Sequence, residues 1–289
     1  MNMSSIIFDE AERNPERVRK KLIELHEEGE TVEDILEFIE ALEMRKISVP
    51  YAGRAFDVCG TGGSGKKRIN LSTALAILLS KKFPIAKHGN RGASGRVGSF
   101  DIIEAVGLEI SDTPEKVKKN LTEKNLAFVF APAFHPALKP LAPIRKSIPH
   151  PTIFNFLGPL LNPLENITAQ IVGVPSEEVG EKLSRTAQEL GKNVLFVYDR
   201  EGGLDDVSIL GETVFWEVKK RNIKTGTFVP EDFDIQRVEN FEDIQGGNSL
   251  EENVKIFRAL LDGTASESHL KFLEINARVA EQFFQKFTP

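Results

Sequence analysis

The sequence predicts an α/β protein, in which a small amino-terminal helical domain precedes a larger domain with a central, mostly parallel sheet flanked by helices. Three observations support this fold class. From residue 55 onward, short apolar runs typical of strands alternate with helical patterns. The first fifty residues show only helical periodicity. A glycine-rich loop follows the first apolar run and precedes a helical pattern, which is how α/β proteins hold phosphate.

The alternating part of the chain contains six predicted strands and at least five helices. The predicted strands are Ala55–Cys59, Pro84–Ala86, Leu126–Phe130, Ile167–Val172, Asn193–Val197 and Thr213–Val218. The predicted helices are Ser72–Leu79, Thr113–Thr122, Glu177–Leu190, Leu250–Leu261 and Ser266–Phe284. The segment Pro132–Pro151 is too rich in proline for one regular helix, so we expect a connector with short helical turns.

The amino-terminal helices are marked by their caps. Asn14-Pro15 is typical of an N-cap and first helical residue, and Thr31-x-x-Asp34 of a capping box. Each helix then carries an apolar stripe, namely Val18, Leu22 and Leu25, and Ile35, Phe38, Ile39 and Leu42. Such stripes must pack on the rest of the chain or on another subunit. We place the helical domain at residues 1–50 and the α/β domain at 51–289, with residues 132–151 a candidate addition to the helices.

Composition limits the function classes. The chain has 289 residues, 40% of them hydrophobic, and a net charge of −6, which disfavours nucleic acid as a partner. The single cysteine, Cys59, excludes a disulfide framework and lies in an apolar strand run, where we interpret it as a packing residue. No run approaches the length of a membrane span, and we predict no membrane partner and a cytoplasmic location.

Two segments predict a pocket for a polyphosphorylated small molecule. Gly60-Thr61-Gly62-Gly63-Ser64-Gly65 has few side chains, so its N–H groups can turn toward one anion. Lys87-His88-Gly89-Asn90-Arg91 follows a strand, at the edge where α/β sheets hold their sites. The glycine loop alone could be an ordinary turn, and its spacing matches neither a P-loop nor a dinucleotide fingerprint. The two segments on neighbouring βα units favour the pocket.

Further motifs follow in order: Ile69-Asn70-Leu71-Ser72-Thr73, Gly98-Ser99-Phe100-Asp101, His135-Pro136-Ala137, and Thr152-Ile153-Phe154-Asn155-Phe156-Leu157-Gly158-Pro159-Leu160 with Asn162-Pro163. With these motifs the chain resembles the anthranilate phosphoribosyltransferase family from about residue 55 to 280. The resemblance implies a nucleoside phosphorylase/phosphoribosyltransferase-like fold and a homodimer. It also implies transfer of the phosphoribosyl group of phosphoribosyl pyrophosphate (PRPP) to anthranilate, with release of pyrophosphate.

The resemblance also implies roles for matching residues. Lys87 would act electrostatically on the pyrophosphate, and we expect no acid–base residue. The PRPP contacts would be Gly60, Gly62, Gly63, Ser64, Arg68, Asn70, Ser72, Thr73, Lys87 and Ser99. The anthranilate contacts would be Asn90, His135 and Arg145. The cofactor would be Mg²⁺, held by Ser72, Asp205 and Asp206.

Several positions depart from the family pattern, and alternatives therefore stay open. Ser64 replaces an aspartate, Arg68 replaces a small hydroxyl residue, Pro151 replaces an arginine, and Asp206 replaces a glutamate. Arg68 could add a phosphate contact, or it could fill the site. One alternative is a phosphoribosyltransferase for another aromatic acid or a nucleobase. Another is a non-catalytic relative that binds a phosphorylated ligand or a partner protein.

Overall fold

The computed structural model describes residues 2–62, 66–92 and 97–288. One eight-stranded sheet runs through the molecule in the order β3-β4-β2-β1-β5-β6-β7-β8. The first six strands in chain order pair in parallel, whereas β7 and β8 join the β6 edge as antiparallel strands. The strands are β1 Ala55–Gly60, β2 Ile85–Gly89, β3 Ile110–Ser111, β4 Leu126–Phe130, β5 Ile167–Gly173, β6 Val194–Asp199, β7 Thr213–Lys219 and β8 Asn222–Phe228.

Helices precede the sheet and cover its two faces. Those before the sheet, in the connector and directly after the connector are α1 Met3–Glu10, α2 Pro15–Glu28, α3 Val32–Glu43, α7 Ala131–Phe134, α8 Leu141–Lys146 and α9 Phe154–Leu157. The others are α4 Leu71–Ser80, α5 Ser99–Ala105, α6 Pro114–Lys124, α10 Glu177–Glu189, α11 Leu250–Asp262 and α12 Glu267–Gln285. Together they form the α/β fold that the sequence predicts.

The predicted strands and helices are confirmed, and the proline-rich connector folds as short helical turns. Among the strands and α-helices of the described residues, α5, α9, β3 and β8 lie in none of the predicted ranges, and α1 had no predicted bounds. Strand β8 is an edge strand whose residues are partly or fully exposed, so it lacks the apolar run that marks a buried strand. Strand β3 has only two residues, too few for a periodic pattern.

Two apolar cores lie on opposite faces of the sheet. On one face, α4, α5, α11 and α12 pack against the central strands. On the other, the amino-terminal helices pack with α8, α9 and α10 against β5, β6 and β7. Helix α6 covers β4 in a smaller cluster. The carboxyl edge of the sheet, where ligands bind in open α/β sheets, lies between these layers.

The apolar stripes of α2 and α3 are buried within this chain. Val18 and Ile35 are fully buried, and Leu22 and Ile39 are 1% and 2% exposed. Leu141 and Ile144 of the connector belong to the same cluster, as does Phe196 of β6. These four residues therefore pack on the rest of this chain and are not available to another subunit, and the homodimer stays a prediction. The domain boundary at residue 50 also stays a prediction, because this core is continuous with the sheet.

In the part of the chain that the structure describes, no helix combines the length and the apolar character that a bilayer crossing requires.

Candidate active site

The two segments that predict a phosphate pocket lie at one edge of the sheet. Gly60 ends β1 and pairs in register with Gly173, which ends the parallel strand β5. Gly89 ends β2, the neighbour of β1 on the other side. Because these strands are parallel, their carboxyl ends meet, and the loops that follow them converge.

The first half of the glycine loop is held by hydrogen bonds to the end of β5 and to Asp205. The N–H of Thr61 donates to the carbonyl of Gly173 at 2.9 Å. The N–H of Gly62 donates to Oδ2 of Asp205 at 3.1 Å, and its φ of +70° is a conformation that favours glycine. Gly63 and Ser64, also predicted to contact PRPP, lie outside the described residues.

Close approach explains two of the glycines. A Cβ on Gly173 would lie 1.7 Å from the carbonyl oxygen of Asp205, and one on Gly60 would lie 2.7 Å from its Oδ2. Residue 173 must therefore be glycine for the Asp205 backbone to pack against it, whereas a side chain at residue 60 would displace the Asp205 carboxylate. This contact brings the predicted metal-binding pair next to the glycine loop.

Helix α4 begins at Leu71, after the short segment 66–70 that follows the glycine loop, and presents its amino-terminal end to the same edge. Asn70 is its N-cap residue, but its side chain does not cap the helix. Ser72 is partly buried, whereas Thr73 is fully buried and its hydroxyl has no partner among the described residues. The first turn of α4 is therefore available to an anion, and the predicted phosphate contacts of these three residues remain predictions.

Lys87 is a buried cation beneath this helix. It is 2% exposed, and its Nζ donates to the carbonyl of Val58 at 2.8 Å and to Oγ of Ser72 at 3.0 Å. Burial lowers the pKa of Lys87, and the charge of Asp57 opposes that shift. The structure thus places one fixed positive charge at the carboxyl edge, in contact with the first turn of α4.

Asp57 anchors this arrangement, although no role was predicted for it. Its carboxylate accepts hydrogen bonds from Nδ2 of Asn162 at 2.9 Å, from Nε2 of Gln170 at 3.3 Å and from the N–H of His88 at 3.2 Å. Burial raises the pKa of Asp57, and these hydrogen bonds and Lys87 oppose the rise. The available signal was an acidic residue inside an apolar strand run, which needs buried partners.

The carboxylates of Asp205 and Asp206, which were predicted to bind magnesium, form ion pairs with Arg68 instead. Nη1 of Arg68 lies 2.6 Å from Oδ1 of Asp205 and 2.9 Å from Oδ2 of Asp206. Burial lowers the pKa of Arg68, but the two carboxylates outweigh it and raise the pKa above its usual range. Burial and Asp205 raise the pKa of Asp206, and Arg68 opposes that rise.

These side chains do not fit a magnesium ion as they stand. Mg²⁺ requires oxygen ligands at about 2.0–2.1 Å in octahedral geometry, and the guanidinium lies where such an ion would be. Among the described residues, no group of three acidic, histidine or cysteine side chains could hold a metal ion. The predicted Asp205–Asp206 ligand pair is therefore not supported by the geometry, and only Ser72 is left as a predicted magnesium ligand.

Two buried histidines lie together near the same edge. The rings of His88 and His135 are 5.4 Å apart, and Nε2 of His135 is 2.9 Å from the carbonyl of Leu161. Nε2 of His88 and Nδ1 of His135 have no hydrogen-bond partner in the ranges that the structure describes. Burial and His135 lower the pKa of His88 to about 3, and burial lowers that of His135. Both rings are neutral near pH 7 and can act as hydrogen-bonding groups.

Arg145 is a partly buried guanidinium that forms no ion pair with a carboxylate of the described residues. Its central carbon lies 5.2 Å from the ring centre of Phe154. Its Nε is buried and has no hydrogen-bond partner in the described part of the chain. Burial lowers the pKa of Arg145, and no acidic group contributes to the shift. A planar guanidinium over an aromatic ring suits a planar carboxylate.

The remaining predicted contacts lie on the loop after β2. Asn90 is exposed, and its carbonyl accepts from Oγ of Ser99 at 3.3 Å. Ser99 is the first residue of α5, so the β2 loop and the start of this helix are joined. Their contacts to anthranilate and to PRPP remain predictions.

Comparison with known proteins identifies the class first. Residues 52–287 match the model of the glycosyl transferase family, a/b domain, and the chain belongs to this class. The match covers the whole sheet and the edge at which the site lies.

Two relatives narrow the assignment. The chain is 39% identical over 261 residues to anthranilate phosphoribosyltransferase of Dictyoglomus turgidum, covering 90% of this chain and 77% of the relative. It is 41% identical over 254 residues to the enzyme of Geobacillus stearothermophilus, covering 87% and 74%. The chain therefore belongs to the anthranilate phosphoribosyltransferase family.

Solved structures agree with the fold. Anthranilate phosphoribosyltransferase of Thermus thermophilus superposes with a TM-score of 0.86 at 32% identity, covering 98% of this chain and 84% of that one. The Saccharomyces cerevisiae enzyme in complex with PRPP and Mg superposes with a TM-score of 0.86 over 99% and 83%. Its identity is 24%, so this second likeness concerns the fold alone.

Proposed function

We propose that this chain transfers the phosphoribosyl group of PRPP to anthranilate and releases pyrophosphate, a step of tryptophan biosynthesis. The observation that supports anthranilate as the acceptor is the contact between Arg145 and Phe154. A guanidinium that has no carboxylate partner among the described residues and lies against an aromatic ring fits a ligand that is both a carboxylate and an arene.

The donor end is supported by the glycine loop and α4. The N–H groups at the start of α4 and the buried charge of Lys87 act together on the pyrophosphate of PRPP. Gly60 and Gly62 allow the backbone to come close to it, with Asn70, Ser72, Thr73 and Ser99 as further contacts and Gly63 and Ser64 as predicted ones. Ser72 stays the predicted magnesium ligand, and the charge of such an ion would add to that of Lys87.

The acceptor is held by three residues in this proposal. Arg145 binds the carboxylate of anthranilate, Asn90 contacts the ring substituents, and neutral His135 offers Nδ1 as a hydrogen-bonding atom. The histidine pair is uncharged near pH 7, so the anionic acceptor is oriented by Arg145.

The reaction then needs positioning and charge stabilisation more than acid–base catalysis. The bond between C1 of the ribose and the pyrophosphate oxygen breaks with oxocarbenium character, and Lys87 stabilises the departing anion. The neutral amine of anthranilate attacks the opposite face of C1, so the anomeric configuration inverts. The new C–N bond takes the nitrogen lone pair, and the nitrogen then loses a proton to solvent. Holding both substrates in line supplies much of the rate.

A fluorescence assay tests this function. Anthranilate consumption is followed with PRPP and Mg²⁺, and the same protein is offered another aromatic acid and a nucleobase in parallel. The proposal predicts PRPP-dependent loss of anthranilate fluorescence. If the protein uses only another acceptor, PRPP remains the proposed donor and anthranilate is wrong as the acceptor. If it binds PRPP but turns over no acceptor, the chain is better interpreted as a non-catalytic relative.

A further inference from the structure

We propose that Arg68 takes the place of a divalent cation at the Asp205–Asp206 pair, so that this pair binds no metal ion. The guanidinium of Arg68 then faces the pyrophosphate of PRPP. The inference deepens the proposed function and rests on it for the identity of the ligand. It is carried by the position of one guanidinium nitrogen between two buried carboxylates.

The charge balance of the pair supports this exchange. Asp205 and Asp206 are 1% and 8% exposed, and two adjacent buried carboxylates repel each other unless a cation lies between them. Nη1 of Arg68 supplies that cation at 2.6 Å and 2.9 Å. A metal ion and this nitrogen would need the same space and the same oxygen atoms.

The backbone of Arg68 is fixed by a distant segment. Arg68 forms an isolated antiparallel bridge with Gln245, and the N–H of Gly246 donates to the carbonyl of Lys67 at 3.4 Å. A Cβ on Gly246 would lie 2.3 Å from the carbonyl oxygen of Arg68, so only glycine allows this packing. The segment after β8 therefore holds Arg68 over the carboxylates.

The guanidinium retains donors for a ligand. In the described chain, its contacts to the aspartates are made by Nη1, and its side chain is 28% exposed. Nε and Nη2 carry the remaining N–H groups of its planar fork, which suits phosphate oxygens. Because Asp205 also accepts from the N–H of Gly62, Arg68 acts through this carboxylate as a positioning residue for Gly62.

Manganese binding tests the exchange without PRPP or anthranilate. Bound Mn²⁺ is counted by electron paramagnetic resonance in the wild type, in Arg68→Ser and in Arg68→Ser/Asp205→Asn. We expect Arg68→Ser to gain a site that the double variant lacks, and Mn²⁺ to raise the melting temperature of Arg68→Ser alone by roughly 2 °C or more. Arg68→Lys, which keeps a cation, is the matched control and should gain no site.

If Arg68→Ser does not fold, a comparison of Mn²⁺ binding by the wild type and by Asp205→Asn still tests the proposal. The proposal predicts equal Mn²⁺ binding by these two proteins, and loss of a site in Asp205→Asn would overturn it. Failure of Arg68→Ser, when folded, to gain a site would also overturn it. Because no substrate is present, these results are independent of whether the chain uses anthranilate.

Pyrophosphate, the proposed product, tests the phosphate contact. Calorimetry in the presence of a chelator should show binding to wild type and about tenfold weaker binding to Arg68→Ser, since a charged hydrogen bond is lost. Equal affinities would remove the guanidinium from the phosphate. Failure of the wild type to bind pyrophosphate would contradict the proposed donor site, whereas the manganese results would stand.

Discussion

Nζ of Lys87 lies 3.0 Å from Oγ of Ser72, and this contact joins the carboxyl end of β2 to the first turn of α4. It sets a buried positive charge beneath the helix end that the glycine loop leads into. The charge is balanced in part by Asp57, which Asn162 and Gln170 hold in place. This edge of the sheet is therefore supported by buried polar groups on β1, β2 and β5.

Lys87→Met should lower kcat for anthranilate by about two to three orders of magnitude, the effect of losing one preorganised charged donor at a developing anion. The Lys87→Met variant should also bind PRPP more weakly than the wild type. Lys82→Met is the matched control, because Lys82 is exposed and pairs with Glu281. Steady-state kinetics measure kcat of both variants. If Lys87→Met were as fast as Lys82→Met, Lys87 would have no role in the site.

Arg145→Ala should weaken anthranilate binding by about one to two orders of magnitude, since a charged hydrogen bond is worth roughly 1.5–3 kcal/mol. PRPP binding should change little, because its predicted contacts lie on other segments. Lys146→Ala changes the exposed neighbour and serves as control. Calorimetry with each substrate separates the cases: loss of PRPP binding would place Arg145 at the phosphate end, and no change would make it a surface charge.

Gly173→Ala should destabilise the protein by about 1–3 kcal/mol and impair PRPP binding, because its Cβ would meet the carbonyl oxygen of Asp205 at 1.7 Å. The Asp205 segment would then shift and release the N–H of Gly62. Gly158→Ala, where a Cβ meets no atom within 4 Å, is the control for stability. Urea denaturation measures both variants, and equal stabilities would contradict the close packing at the end of β5.

His88 should make stability fall as the solution becomes acidic. Its pKa is about 3 in the folded protein and near 6.5 when unfolded, so below about pH 6.5 the unfolded state binds a proton that the folded state does not. Between about pH 7.5 and about pH 5.5 this group alone should cost about 1.4 kcal/mol. Urea denaturation of wild type and His88→Asn at both pH values tests it: the variant should lose less stability, and equal losses would contradict a buried neutral His88.

The elements with a strong local pattern could be predicted from the sequence. Strand Ala55–Gly60 is an apolar run, and Thr31 with Asp34 forms the capping box that their spacing indicates. Strand Asn222–Phe228 could not be predicted, because an edge strand needs few apolar residues and is defined by its pairing with β7.

The candidate site was predictable to the extent that it consists of local motifs. The positions of Lys87 and the glycine loop follow from parallel strands that end at one edge. The pairing of Arg68 with Asp205 and Asp206 could not be derived, since about 140 residues separate them and the contact depends on how Gly246 packs on residue 68. The role of Asp57 depends likewise on Asn162 and Gln170, which lie on other segments.

A ³¹P nuclear magnetic resonance time course of the wild-type protein with PRPP, Mg²⁺ and anthranilate tests the central claim most directly. We predict that the diphosphate signals of PRPP are replaced by the signal of free pyrophosphate, and its 5-phosphate signal by that of one new phosphomonoester, with the two products formed in equal molar amounts and only when anthranilate is present. Persistence of the PRPP signals under conditions in which calorimetry shows PRPP bound would contradict it, as would pyrophosphate release that does not depend on anthranilate.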